Sequence, residues 1–367
     1  MIVMKFGGTS VEAAAAIERA AGIVKERLER RPVVVVSAMG KATNRLLALA
    51  GDAVASRREQ ALEQLQALRD YHLKEASQVV SEAEEAELEG VIAEHFRELE
   101  ELVKGLAVLG ELTPRSWDAI ASYGERLSSR IVELALRRFE IDSVHVDSRQ
   151  VIVTDRRHTQ AVPLSVETRA RLSAVIPRLA ENKVVVMGGF IAATEDGATT
   201  TLGRGGSDYT AALVGAGINA EEIQIWTDVD GMLTADPNIV PEAHRVKIIS
   251  FDEAAELAYF GAKVLHPSTV LPAIERDIPV LILNSRRPHV PGTRIVAEAV
   301  PCANPFKSIA SKPHITVMTI QSSRMLMAYG FLRRIFEVFD RYETPVDMLA
   351  TSEVSVSLTI DNASRLK

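Results

Sequence analysis

Two glycine-rich segments of this chain each carry a cation: Lys5-Phe-Gly-Gly-Thr-Ser10 and Gly203-Arg-Gly-Gly-Ser-Asp208. Glycines let a backbone approach a ligand closely, and a helix N-terminus beyond them offers unpaired N–H groups to an anion. Lys5 and Arg204 add charge-assisted hydrogen bonds. One Gly-Gly alone is usually a tight turn, but two in a strand-to-helix setting, each with a basic residue, point to an anion cradle. Trp226-Thr-Asp-Val-Asp-Gly231 sets two carboxylates and a hydroxyl behind a strand. Such a turn suits a ribose, a metal or a phosphate, and Asp-Gly equally signals a hairpin. Lys263, within Phe260-Gly-Ala-Lys-Val-Leu-His-Pro267, sits among apolar neighbours as a snorkelling surface lysine does, unless a phosphate is near. Tyr123-Gly-Glu125 puts a glycine and a carboxylate inside a helical pattern, where the glycine permits close packing.

Other chemistries are absent from the pattern. There is no Gly-x4-Gly-Lys-Ser/Thr loop and no His-Arg-Asp or Asp-Phe-Gly set. Gly215-Ala-Gly-Ile-Asn-Ala220 fits a dinucleotide fingerprint on paper, but it ends a helix instead of following a strand, and reads as a C-cap turn. None of the eight histidines has His-Glu-x-x-His spacing, so no protein-built transition-metal site is expected. The only cysteine, Cys302, excludes an intrachain disulfide framework.

The elements that must position these residues alternate. Residues 2–6 and 33–36 read as buried strands, 11–29 and 42–54 as helices, and this order implies a parallel sheet with right-handed crossovers. Residues 57–104 are acidic, rich in Ala, Leu and Glu, and read as a helical hairpin with a solvated charged face. A helix over 118–138, strands near 143–146 and 151–154, and a helix over 165–181 follow. Then come a strand at 183–187, a helix over 209–216, a strand at 222–226, helices over 252–260 and 268–276, and a strand at 280–283. Five prolines between Pro288 and Pro313 mark a boundary. Beyond it, segments 315–320, 331–342, 346–349 and 354–360 give a β-α-β-β order.

At 367 residues the chain is too long for one ordinary domain. It has 49 acidic against 42 basic residues, a net charge of −7, which argues against binding nucleic acid through a basic field. Hydrophobic residues make up 47% and charged ones 25%, which excludes wholesale disorder. No signal peptide and no stretch of ~20 apolar residues is visible, so a cytoplasmic protein with no membrane partner is expected.

Taken together the motifs resemble those of an aspartate kinase of the amino-acid kinase family. The matching residues are Lys5-Phe-Gly-Gly-Thr-Ser-Val11, Ser37 with Thr43-Asn44, Tyr123-Gly-Glu-Arg126, Gly188-Gly-Phe190, the segment 199–210, Trp226-Thr-Asp228 and the segment 260–267. Acetylglutamate, carbamate and uridylate kinases share the glycine-rich turns but not this combination. The resemblance implies an α/β fold, an open, mainly parallel sheet sandwiched by helices, over residues 1–300, with 57–105 as a helical insertion. A linker over 301–313 and a partial ACT-like (ferredoxin-like) α+β unit over 314–367 complete it.

It further implies transfer of the ATP γ-phosphoryl group to the side-chain carboxylate of L-aspartate, giving 4-phospho-L-aspartate, the first step towards lysine, threonine and methionine. Lys5 is expected on the transferring phosphoryl group beside the Gly7 and Gly8 amides, with Asp208 orienting it. Lys263 with Val264, the Thr227-Asp228 turn, Leu233 and Asn238 fall on the nucleotide side. Arg204 with Ser207 is expected on the substrate α-carboxylate, Glu125 on its α-ammonium, and Ser37 and Thr43 as further hydrogen-bonding groups. Magnesium is expected to arrive with ATP, held by phosphates and water.

Leu233 and Asn238 stand where many members carry an aromatic residue and an arginine, which removes a base-stacking ring and one phosphate contact. In the tail, Gly330-Phe-Leu and the segment from Val346-Asp to Val356 resemble the start of an ACT domain, where Met325, Phe331, Asp347, Thr351, Ser352 and Glu353 are the expected effector residues. Pro345 occupies a position that is serine in lysine-sensitive relatives. The unit stops after its third strand, so the sequence is expected to be a segment of a longer polypeptide. Homodimers paired through the ACT unit, and feedback by lysine or threonine, are the implied regulation.

Overall fold

The run Ile2–Phe6 forms β1, buried throughout, near the middle of an eight-stranded sheet. The chain continues through α1 (Ala14–Lys25), β2 (Pro32–Val36), α2 (Ala42–Val54), α3 (Arg58–Ala76), α4 (Glu82–Leu109), α5 (Pro114–Ala121) and α6 (Tyr123–Arg138). Next come β3 (Ser143–Val146), α7 (Ser148–Val151), β4 (Val153–Thr154), α8 (Ser165–Leu179), β5 (Val184–Gly188), β6 (Ile191–Thr194), β7 (Thr199–Thr201) and α9 (Gly206–Ile218). Then follow β8 (Ile223–Thr227), β9 (Ile248–Ser250), α10 (Phe251–Tyr259), α11 (Leu271–Ile274), β10 (Val280–Asn284) and β11 (Thr293–Val296). The computed structural model describes residues 1–259, 267–298, 306–325 and 329–361. It divides into two compact units, Met1–Ile309 and Ala310–Lys367.

The large sheet has the order β3-β5-β2-β1-β8-β10-β11-β9. Its pairs are parallel except β10 with β11. From β1 the chain winds first towards β2 and β5, later towards β8 and β10. The direction therefore reverses at β1, and in such sheets the strand ends open a crevice at that point. In a second sheet, of order β4-β6-β7, strands β6 and β7 carry the chain from β5 to the second glycine-rich turn.

Side-chain alternation along β1 sorts the two faces. Ile2, Met4 and Phe6 join a cluster with Ile17, Leu46, Leu68, Ile92, Phe96 and Leu127, from α1, α2, α3, α4 and α6. Val3 joins Val33, Val35, Leu172 and Val214, from β2, α8 and α9, on the other face. Lys5 shares the face of Val3 and therefore looks towards α9. The hairpin of α3 and α4 buries an apolar stripe in the first cluster. Glu82, Glu84 and Glu85 lie in the first turn of α4, where they complement the helix dipole.

Several elements differ from expectation. The helix read as 118–138 is two helices separated at Ser122, and the first starts earlier because Thr113 caps it, accepting from Ser116 N at 3.1 Å, with Pro114 at its first position. The helix read as 11–29 is trimmed at its start by a 3-10 turn over Gly8–Ser10. Asp147 accepts from Arg149 N at 3.0 Å and starts α7, which leaves only Val153–Thr154 of the strand read as 151–154. The helix read as 268–276 is a 3-10 turn, Pro267–Val270, followed by the single turn of α11. Strands β6, β7, β9 and β11, three or four residues each, were unanticipated because segments so short carry no readable alternation.

In the second unit, β12 (Thr316–Gln321), α12 (Phe331–Arg341), β13 (Leu349–Thr351) and β14 (Ser355–Ile360) form an antiparallel sheet of order β12-β14-β13 with one helix. Its core is Phe339, Val356, Leu358 and Ile360. The strand read as 346–349 lies later, in β13. Among the described residues no helix is long and apolar enough to cross a membrane.

Candidate active site

A cleft of about 330 Å³ opens at the C-terminal ends of β1, β2 and β5 against the start of α9. Lys5 and Gly8 line it from β1 and its turn, Ser37, Ala38, Gly40, Lys41, Thr43 and Asn44 from the segment after β2. Glu125 lines it from α6, Phe190 from the turn after β5, and Gly203, Gly205, Gly206, Ser207 and Asp208 from the turn into α9. The structure thus brings together Lys5, Gly8, Ser37, Thr43, Glu125, Ser207 and Asp208 of the residues singled out in the sequence.

Strand alternation aims Lys5 at the first turn of α9, where its Nζ lies 2.7 Å from Asp208 Oδ1. The approach is an ion pair off the hydrogen-bonding direction, since that oxygen has no aligned donor. Both side chains are mostly buried, so the pair is weakly screened. Gly8 is required for the turn to close: a Cβ there would lie 2.9 Å from Gly40 O and 3.0 Å from Ala38 O. Gly40 N in turn donates to Gly8 O at 3.1 Å, fastening the two loops together.

Glu125 is 4% exposed, and its Oε2 has no partner among the described residues. Burial pushes its carboxyl up to about 8; two backbone N–H groups, of Ala38 and of Glu125 itself, and the charge of Lys5 pull the other way and do not win. Gly124 admits α6 this close. A Cβ on it would meet Ala38 Cβ at 2.8 Å and Thr43 Oγ1 at 3.1 Å. Gly188 does the same from β5, where a Cβ would lie 3.1 Å from Glu125 O.

Sequence reasoning did not assign Lys41, Asn44 or Phe190 to the site. Phe190 has φ +64, a left-handed backbone rare for a bulky residue. Its N–H donates to Thr210 Oγ1 at 3.0 Å and its O accepts from Leu202 N at 2.9 Å. The preceding Gly188-Gly189 was the available signal. Arg204 is exposed and is not among the lining side chains, although its neighbours Gly203 and Gly205 are.

Of the residues expected on the nucleotide side, Gly7, Thr227, Asp228, Leu233 and Asn238 are not among those lining this cleft. Gly7 N donates to Trp226 O at 3.0 Å, which ties the end of β1 to the end of β8. Thr227 donates from Oγ1 to Asp228 Oδ1 at 3.3 Å, and Asp230 accepts from Asn284 Nδ2 at 2.7 Å. The turn is no two-residue hairpin: it leads through Leu233, whose O accepts from Ser308 Oγ at 2.7 Å, and Asn238, which donates from N and Nδ2 to Asp236 Oδ1. Lys263 and Val264 lie outside the described residues. In the second unit, Met325 and Phe331 pack on the small core, and Asp347 N donates to Thr359 O at 3.0 Å. Thr351 ends β13, and Ser352 and Glu353 make the turn to β14, where Ser352 Oγ is 2.7 Å from Ser355 Oγ.

A model of the amino acid kinase family matches residues 1–284. Lysine-sensitive aspartokinase 3 of Escherichia coli (strain K12) is 40% identical over 370 residues, covering 98% of this chain and 78% of that protein. The chain belongs to the amino acid kinase family, on its aspartokinase branch. Another aspartokinase, the chloroplastic aspartokinase 2 of Arabidopsis thaliana, is 40% identical over 366 residues; the match covers 98% of this chain but only 66% of the relative, just under two thirds of its length. The crystal structure of E. coli aspartokinase III in complex with aspartate and ADP superposes with a TM-score of 0.81 at 36% identity, covering 99% of this chain and 79% of that one. The open parallel sheet flanked by helices is therefore the family's fold.

Proposed function

We propose that the chain catalyses ATP-dependent phosphorylation of the side-chain carboxylate of L-aspartate to 4-phospho-L-aspartate. The observation that carries this reading is the single cleft holding a Lys5–Asp208 ion pair and the buried, half-unpartnered Glu125. A relative of the same branch has been crystallised with aspartate and ADP, which agrees with it. The chemistry suits these residues. A carboxyl group with pKa about 3.9 is ionised at neutral pH, so the acceptor needs no general base. Anion must attack anion, and the protein's task is positioning and charge neutralisation.

In this proposal Lys5 meets the transferring phosphoryl group with the Gly8 amide beside it, the Gly7 N–H being committed to Trp226 O, and Asp208 holds the ammonium in place. Arg204 and Ser207 take the α-carboxylate, because a guanidinium fork matches a carboxylate. Glu125 takes the α-ammonium, and Ser37 and Thr43 donate or accept alongside. Thr227, Asp228, Leu233, Asn238, Lys263 and Val264 serve the nucleotide. Mg²⁺ would travel on the ATP phosphates and neutralise their charge; the nearest carboxylate to Lys5, Asp208, is already engaged by that lysine.

Two copies pairing through the 310–367 unit, and feedback by lysine or threonine at Met325, Phe331, Asp347, Thr351, Ser352 and Glu353, belong to the same proposal. Support comes from the lysine sensitivity in the name of the E. coli relative. The test is acyl-phosphate formation trapped as a hydroxamate, with a panel of aspartate, glutamate, acetylglutamate and nucleoside monophosphates, with and without lysine and threonine. Turnover with another acceptor and none with aspartate would overturn the reading.

A further inference from the structure

Asp118 is fully buried, yet it lies outside the cleft and outside every motif read from the sequence. It sits in α5, four residues before Ser122, whose N–H donates to the Asp118 carbonyl at 3.0 Å. Its carboxylate makes four contacts with three partners. Thr201 Oγ1 donates to Oδ1 at 2.5 Å, and His158 Nδ1 lies 2.7 Å from Oδ2. Thr159 N–H is shared between both oxygens at 3.0 Å each. A buried carboxylate is costly unless its oxygens are occupied, and here each has more than one donor.

What these bonds hold is strained. Thr159 has φ +72, a left-handed conformation that a β-branched residue adopts only when its surroundings impose it. The carbonyl of Thr159 backs directly onto the second glycine-rich turn: a Cβ on Gly203 would lie 3.3 Å from it, and Gly203 is itself left-handed at φ +73. Thr201, the other partner, precedes that turn by two residues and receives Ala161 N on its carbonyl at 2.9 Å. Next to Asp118, the ring of Trp117 meets Phe190 edge-on at 6.5 Å. One carboxylate therefore joins the α5–α6 corner, which carries Glu125, to the segment that carries Arg204 and Ser207.

We propose that Asp118 is a positioning residue for the acceptor. By clamping residues 158–159 beneath Gly203 and holding Thr201, it fixes the separation between the carboxylate that grips the acceptor's ammonium and the turn that grips its α-carboxylate. Among the described residues, none of those expected on the nucleotide side bonds to this carboxylate. This rests on the proposed roles of Glu125 and Arg204, and it makes the acceptor site, not the phosphate site, depend on a group that never touches substrate.

The test is steady-state kinetics of the full chain with ATP and aspartate. Asp118→Asn keeps the shape but loses the charge and one acceptor, and Thr201→Val removes one donor. Each should raise the aspartate KM by about tenfold or more, the loss expected for a charge-assisted hydrogen bond, with kcat and the ATP KM within about twofold of wild type. Thr201→Ser, which keeps the hydroxyl, should restore the wild-type aspartate KM. The double variant should be no worse than the weaker single one, because both break one network. An unchanged aspartate KM in folded variants overturns the inference; so does a parallel loss in kcat and both KM values, the mark of general loosening. If Asp118→Asn does not fold, the Val and Ser variants of Thr201 decide by the same criteria. A wild-type chain that forms no acyl phosphate from aspartate would instead show the proposed function to be wrong, a failure visible before any variant is made.

Discussion

Glu125 should make acceptor binding depend steeply on pH. A carboxyl pushed by burial to about 8 is protonated through the neutral range, while gripping an ammonium requires the carboxylate. The apparent affinity is then reduced by the ionised fraction, which is about one in a hundred at pH 6, one in eleven at pH 7 and three in four at pH 8.5. The aspartate KM should therefore fall on the order of 50- to 100-fold from pH 6 to 8.5, at close to tenfold per unit below pH 7, while the ATP KM stays nearly flat. The assay is hydroxamate formation at fixed saturating ATP, titrating aspartate at half-unit steps. Glu125→Gln should bind aspartate weakly throughout and abolish the slope. A flat wild-type profile, or a slope that survives Glu125→Gln, would refute the reasoning. Stability supplies a second readout. Because the folded value lies above the ordinary 4.5, the native state holds a proton that the unfolded chain has released, so this group's contribution declines as pH rises from about 4.5 to 8. Against wild type, Glu125→Gln should gain relative stability across that window.

Lys5→Met should lower kcat by on the order of 10² or more, as expected when a group neutralising developing charge is removed; near-normal turnover would exclude its assigned role. Asp208→Asn should reduce kcat less than Lys5→Met, since the cation remains but its holder is weakened; equal loss in both would mean that Asp208 acts on substrate. Gly124→Ala should destabilise by about 1–3 kcal/mol through overpacking against Ala38, measured by chemical denaturation, and adding Ala38→Gly should recover part of that loss. His72 is buried with its value depressed to about 4, chiefly by burial. Its folded value lies below the ordinary 6.5, so the stability it permits is complete above pH 6.5 and is lost as pH falls towards 4. His72→Leu should flatten that acid limb of the thermal midpoint by one proton's worth, and an unaltered limb would count against it.

Much of the fold was legible because its signals are local. The strands read at 2–6, 33–36 and 183–187 are short apolar runs, found buried throughout at 2–6, 32–36 and 184–188, and α2 matches its expected bounds residue for residue. The break at Ser122 was hidden because helical periodicity runs through it; only the capped start at Thr113 betrays a second helix. Strands of three residues such as β7 were invisible, being specified by their neighbours and not by their own pattern. The site was legible where chemistry and glycine coincide, as at Lys5 and Asp208. Asp118 was not, since a lone aspartate in a helical stretch reads as a solvated charge.

The amino-acid order by itself determined the alternating architecture, the two glycine-rich turns and the residue types able to bring anions together, because each depends on periodicity or on backbone freedom within a few positions. Tertiary structure alone decided that Lys5 faces Asp208 at a sequence separation of 203, that Glu125 is stripped of water, and that Thr159 is held in a strained conformation under Gly203. Burial and strain are properties of a neighbourhood. They arise only when distant segments close on one another, and no local pattern encodes them.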